Sequence, residues 1–206
     1  MFGDLLGAVL RRGSGLRIVT PRLILRPPVM ADWPQWASLR RESQDFLTAW
    51  EPVWSRDHLT RTSFRARVRW AGRMIEDGRG LPLFLTATGA DAPAGAILGA
   101  ITLDNLRRGP AQAGTVGYWI GAPFANRGYM TEALGAVRDH AFHALDLSRL
   151  EAACLPENRP SRALLERCGF KYEGVAQSYL QIAGRWRTHV LYAALRADRR
   201  GRTEAG

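Results

Sequence analysis

At 206 residues the chain is long enough for one domain with a full core and too short for two of ordinary size. Hydrophobic residues make up 46% of it, seven of them tryptophan, and no run approaches the roughly 18 apolar residues that span a bilayer; a globular protein without a membrane segment is expected. The formal charge of +10 rests on 28 arginines and a single lysine, Lys171, and favours encounter with polyanions without specifying a fold.

Residues 1–12 place Phe2, Leu5, Leu6, Val9 and Leu10 at helical spacing ahead of a glycine-rich link, so 1–15 reads as an amphipathic helix and linker. Asp4 stands where a signal peptide needs basic residues, and no cleavage-site pattern follows. Such a helix can dock on its own domain, on a second subunit or on a membrane surface, in that order of preference, since it carries little positive charge.

A first strand centres on Leu23–Leu25, and a helix follows from Asp32 to Glu42 with Trp33, Trp36 and Leu39 inward. Over about 57–76, Phe64, Val68, Ala71 and Ile75 keep the helical period while Arg61, Arg65, Arg69 and Arg73 form a row on another face. That row reads as a solvated face before it reads as a rim for acidic partners. Residues 81–88 and 96–103 form a hairpin across GADAPAG, and the chain continues through Asn105 to Ala113 into the strand GYWIG at 117–121. A helix over 129–145 buries Met130, Leu134, Val137 and Ala141. A strand at 149–154, a short helix, and strands at 171–180 and 186–195 complete the set. The order implies an α+β domain over 16–197, built on a mixed, mostly antiparallel sheet of six to seven strands flanked by helices, with a disordered tail at 198–206.

Two segments carry chemistry. GYWIGAPFANRGYMTEAL, residues 117–134, runs a strand through a glycine-bearing loop into a helix start. Backbone N–H groups around Arg127, Gly128, Tyr129 and Met130 have no intrahelical acceptor there, and the helix dipole adds about half a positive charge. Arg127 can fork onto phosphate oxygens. Gly128 alone leaves a phosphate cradle and an empty tight turn equally open. LPENRPSRALLERCGF, residues 155–170, is a short bounded helix: Asn158 can cap it, Pro160 sits in its first turn, and Gly169 ends it.

Together these segments resemble the GCN5-related N-acetyltransferases (GNAT), in which the loop holds the pyrophosphate of acetyl-CoA and the short helix lies along its pantetheine arm. TPRLILR at 20–26, Trp50-Glu51-Pro52, VGYWIG, MTEAL and GRWRTHVLYA extend the likeness to the RimJ/RimL branch, the ribosomal-protein N-terminal alanine acetyltransferases, over about residues 20–196. The resemblance implies acetyl-CoA as co-substrate, no metal, and a protein N-terminus beginning in alanine as acceptor. It also implies a cofactor site of Trp119, Ile120, Arg127, Gly128, Tyr129, Met130, Thr131, Asn158 and Ser161. The N–H near Ile120 would polarise the thioester carbonyl.

Two departures matter. Relatives carry Gln or Arg where this chain has Ala125, and a small residue where it has Met130. Many protonate the leaving thiolate with a tyrosine at the position of Leu165, so that role moves to Ser161, whose hydroxyl equally suits a local helix-turn contact. Glu51 is the candidate carboxylate for the acceptor ammonium, against the plain alternative of a solvated side chain. Trp50, within the same WEP motif, and Asn105 and Tyr179, by family placement, are further acceptor candidates; His189 of the final strand can orient substrate, against the commoner reading of a lone structural histidine. No strong base is required for an α-amino group, since with a pKa of about 7.7 to 8.0 roughly a tenth is neutral at pH 7.

Other classes have less support. His140 and His143 lack a paired nucleophile, so a hydrolase triad has no support. Cys154 and Cys168 lack metal-type spacing and fit buried thiols in a reducing cytoplasm. DNA and membrane partners are not expected, and RNA contact stays open without support, because arginines and exposed aromatics do not interleave. Acetylation of a small amine such as a polyamine, aminoglycoside or amino acid is the nearest rival function. A non-catalytic acetyl-CoA- or RNA-binding module comes next. Monomer and homodimer are both compatible with the sequence.

Overall fold

A computed structural model of the protein describes residues 15–197; the helix expected over 1–12 and the tail at 198–206 lie outside the described residues. The elements are β1 (Ile18–Val19), β2 (Leu23–Arg26), α1 (Trp33–Glu42), α2 (Gln44–Thr48), α3 (Arg61–Glu76), β3 (Leu81–Ala87), β4 (Ile97–Arg107), β5 (Ala113–Ile120), α4 (Tyr129–His143), β6 (Arg149–Cys154), α5 (Arg159–Arg167), β7 (Lys171–Ile182) and β8 (Arg185–Leu195). They form one mixed sheet of eight strands in the order β1-β2-β3-β4-β5-β6-β8-β7, flanked by helices. The strand beyond the expected six to seven is β1, two residues at the edge and too short to show a period. The five-residue α2 was likewise invisible to helical periodicity. Helix α3 begins at Arg61 rather than 57, because the Thr60 side chain accepts from the Ser63 N–H and caps it there.

Alternation along the inner strands sorts the core onto two faces. Leu81, Leu83 and Leu85 of β3 pack with Leu134 and Val137 of α4, whereas Phe84 points the other way toward Trp36 of α1 and Phe64 of α3. With helices on both faces, every residue of β3 is buried. The arginine row Arg61, Arg65, Arg69 and Arg73 is exposed, as its spacing implies.

One pairing positions the site. All neighbours are antiparallel except β5 and β6, which α4 joins by a crossover and which therefore run parallel. Their pairing covers only Ala113–Thr115 against Arg149–Glu151. Beyond it both strands continue, β5 to Ile120 and β6 to Cys154, with no further rungs between them. The sheet opens there at the carboxyl ends of two parallel strands, the place where such sheets admit ligands.

Candidate active site

A cleft of about 700 Å³ occupies this opening. Strand β5 supplies one wall through Tyr118, Trp119 and Ile120, and β6 supplies the other through Ala153 and Cys154. The start of α4 closes one end and α5 lies along the side.

The α4 start is built to leave backbone donors free. Gly128 is its N-cap residue at φ +78°, a conformation costly for a side chain, and no side chain caps the helix. By contrast, Thr60 caps α3 and Asn158 caps α5. Asn126 also adopts positive φ, +59°, so the loop turns sharply twice before the helix. The turn is held from outside by the first-turn residue Glu132. Its carboxylate accepts from Thr20 Oγ1 at 2.5 Å, the Arg22 N–H at 2.9 Å and Arg22 Nε at 2.7 Å, while Arg22 Nη1 donates to the Arg127 carbonyl at 3.0 Å. Burial disfavours the charge on Glu132, but these hydrogen bonds outweigh it and hold the carboxyl below its ordinary value. A first turn rich in unclaimed N–H groups, fixed by a partly buried ion pair, has the donors that an anion requires.

On α5, the Asn158 Oδ1 accepts from the Ser161 N–H at 3.1 Å, which fixes the first turn and aims Ser161 into the cleft. There the Ser161 hydroxyl lies 2.8 Å from the Tyr118 hydroxyl of β5. Burial raises the Tyr118 phenol well above its ordinary value, so it stays protonated and can serve as a donor. The pair forms a short chain of hydroxyls at the mouth of the split strands. Tyr118 was not singled out from sequence, since a strand tyrosine reads as core until its register is known. Burial also raises the thiol of Cys154, the β6 residue lining the same wall, and keeps it un-ionised.

Residues 22–171 match the acetyltransferase (GNAT) domain family. The chain belongs to this family. It is similar to the ribosomal protein uS5-alanine N-acetyltransferase of Escherichia coli (strain K12), 33% identical over 185 residues that cover 89% of this chain and 92% of that enzyme. The structure of Mycobacterium smegmatis RimJ in complex with CoA-disulfide superposes with a TM-score of 0.81 at 31% identity, covering 91% of this chain and 90% of that one. The ribosomal-protein-S5-alanine acetyltransferase of Vibrio fischeri gives 0.80 at 25% identity, covering 90% of this chain and all of that one, 100%. The protein is thus a GNAT acetyltransferase, and the expected fold class holds.

In this acetyltransferase Trp119, Ile120, Gly128, Tyr129, Met130, Thr131, Asn158 and Ser161 line the cleft, as do Trp50, Glu51 and His189. Arg127, Asn105 and Tyr179 are not among the lining residues. Arg127 offers its carbonyl to Arg22 and its side chain is exposed; the arginine that does reach the cleft is Arg167, in the last turn of α5. Asn105 sits in β4 at φ +49°, beside the irregularity between Asp104 and Arg107, and serves the strand's twist rather than the cleft. Tyr179 is exposed and meets the cleft only through an edge contact with His189, ring centroids 5.6 Å apart. His189 is itself 3% exposed, with Nδ1 at 2.9 Å from the Arg187 carbonyl. Tyr129 contributes more than backbone: its ring is buried beneath the Arg22 guanidinium at 4.7 Å, and its hydroxyl is buried without a partner.

Glu51 lines the cleft, but its carboxylate is engaged. Arg40 Nη1 and Nη2 donate to its two oxygens at 2.8 and 2.5 Å, and Trp54 Nε1 donates at 2.8 Å. Arg40 is buried on α1, with its guanidinium 4.3 Å from the Trp54 ring centroid and 4.7 Å from that of Trp119. Both carboxylate oxygens are thus taken up by the Arg40 guanidinium and the Trp54 indole. The geometry therefore assigns Glu51 to holding Arg40 and, through it, the Trp119 wall. His58 stacks on Trp54 at 4.7 Å, and burial, then Arg40 and Arg67, lowers its pKa to about 4. A buried arginine on an amphipathic helix carries no sequence signal, so neither Arg40 nor this cluster was legible beforehand.

Proposed function

We propose that the protein transfers the acetyl group of acetyl-CoA to the α-amino group of a protein N-terminus, a ribosomal protein beginning in alanine being the favoured acceptor, and that it works in the cytoplasm. The observation that carries the reading is the Tyr118–Ser161 hydroxyl pair at the mouth of the β5/β6 opening, beside an uncapped α4 N-terminus. Similarity over nearly the full length to a ribosomal protein uS5-alanine N-acetyltransferase supports the choice of acceptor.

The donor set fits acetyl-CoA. The first-turn N–H groups of α4 and the nearby Arg167 suit the pyrophosphate, with Arg127 available from the solvent side. Trp119 and Ile120 offer strand backbone to the pantetheine, a role the neighbouring β6 leaves open by diverging. Acetyl-CoA supplies an activated thioester. The protein's part is to hold it dry, to polarise its carbonyl with a backbone N–H, and to return a proton to the departing sulfur. Ser161 is our candidate for that proton: its hydroxyl lies 2.8 Å from that of Tyr118, and with Tyr118 as the donor of this bond the serine hydrogen is free for the sulfur. Incubation with acetyl-CoA and a panel of free-amine peptides, small amines and polyamines, read by thiol release and product mass, tests the reading. Alanine-first peptides should be acetylated once, at the α-amine; a panel in which only small amines react would overturn it.

A further inference from the structure

A second cavity of about 250 Å³ lies on the other side of β5 from Ser161 of α5. Its floor is the face of the sheet that α1 and α3 partly cover. Along β4 the residues pointing into it are Ala100, Thr102 and Asp104, whose cross-strand partners on β5 are Trp119, Gly117 and Thr115. Gly117 leaves open space where a Cβ would stand. Trp70 of α3 forms one wall and is 37% exposed at the rim. Gly117, Tyr118 and Trp119 line this cavity and the large cleft alike, so the two meet across one strand.

At one end stands Asp104. It is half-buried, and among the described residues nothing pairs with its carboxylate. A half-buried carboxylate with no protein partner is left to meet water or a ligand. Burial raises its pKa, which makes it a better proton acceptor than a solvated aspartate. Asp104 is two residues, about 7 Å along the strand, from the level of Gly117, where the two cavities join. At the other wall is Arg67, whose guanidinium lies 5.3 Å from the Trp36 ring centroid. Asp104 is the one carboxylate and Arg67 the one cation among the lining residues, so a single ammonium can be met while a polycation is disfavoured.

We propose that this groove is the acceptor subsite, taking a primary amine that carries one positive charge, such as a peptide α-ammonium, with Asp104 meeting the ammonium and Trp70 and Trp119 covering its apolar part. The assignment rests on the acetyltransferase reading above and gives Glu51 no part in the proton transfer. Asp104 takes one proton from the ammonium, leaving a neutral amine. That amine forms the new N–C bond to the acetyl carbon as the C–S bond breaks. Its second proton goes to the departing thiolate through Ser161, and Asp104 later releases the first to water.

The test uses the full chain and an alanine-first peptide with a free α-amine. Asp104→Asn should raise both the peptide KM and the peptide Kd for the CoA-loaded protein about ten-fold or more, the size expected for a lost charge-assisted contact. The acetyl-CoA Kd should stay within about two-fold, since the phosphate site is on other elements. Thr102→Met, which fills the floor without touching a charge, should raise the peptide Kd as well. Peptide Kd values unchanged in both variants would overturn the proposal, as would spermidine outcompeting the peptide. A parent protein that binds acetyl-CoA and the peptide but forms no acetylated product would instead overturn the acetyltransferase reading of the acceptor and leave the subsite standing.

Discussion

Replacing Glu51 by alanine separates a structural carboxylate from a chemical one. The Arg40 side chain is 5% exposed and that of Glu51 20%, so the pair is largely removed from water. Removing the carboxylate strands a buried guanidinium, for which breaking such pairs costs about 3–5 kcal/mol. The lower end applies, because Glu51 is partly wet and the Trp54 and Trp119 rings, 4.3 and 4.7 Å away, still face the cation. At roughly 2–4 °C per kcal/mol for a chain of this size, a loss of about 3 kcal/mol lowers Tm by about 6–12 °C. Calorimetry or thermal fluorescence on Glu51→Ala reads this directly. The double variant Arg40→Met with Glu51→Leu removes both charges, and should recover most of the loss, since apolar replacement of a buried pair is often neutral or stabilising. A Glu51→Ala protein that melts within about 2 °C of the parent but loses about a hundred-fold in kcat would refute the reasoning and restore Glu51 as a catalytic group.

Ser161→Ala should lower kcat by about a hundred-fold with acetyl-CoA affinity nearly unchanged, the scale of a lost general acid. Tyr118→Phe should lower it less, and the double variant should be no worse than Ser161→Ala alone if the two hydroxyls act in series; additive losses in a mutant cycle would break the chain. Gly128→Ala forces a side chain into φ +78° and sets its Cβ 3.3 Å from Arg22 Nη2, so stability should fall by about 1–2 kcal/mol and the acetyl-CoA KM should rise; an unchanged KM would separate the loop from phosphate binding. His58, with a pKa near 4 in the fold against about 6.5 unfolded, stabilises above pH 6.5, and that share is lost as pH falls toward 4, because the unfolded chain takes the proton first. The parent should therefore lose more Tm between pH 7 and pH 4.5 than His58→Phe does, and parallel melting curves would remove His58 from the account.

The elements that were legible are those whose period or punctuation is local. The strand-loop-helix at 117–134 and the Asn158 helix each combine an apolar period with a cap or glycine at the needed offset, and both stand where expected. Around them the side-chain roles were less legible. Arg127 reads as a phosphate contact from its loop, and Asn105 as an acceptor contact from family placement, yet the first is exposed, the second lies beside the strand irregularity, and neither lines the cleft. Arg167, Tyr118 and Asp104 enter the two cavities from three different elements, Arg40 reaches Glu51 from a fourth, and no spacing in the chain encodes that meeting.

Local sequence therefore determined that an α+β acetyltransferase scaffold forms and where its uncapped loop-to-helix turn lies, since capping, glycine conformation and hydrophobic period act within a few residues. Only the tertiary structure decided which side chains face the opening, because that depends on where β5 and β6 stop pairing. It also decided that Glu51 is spoken for while Asp104 is not, since a carboxylate's chemistry is set by the partners that distant elements bring to it.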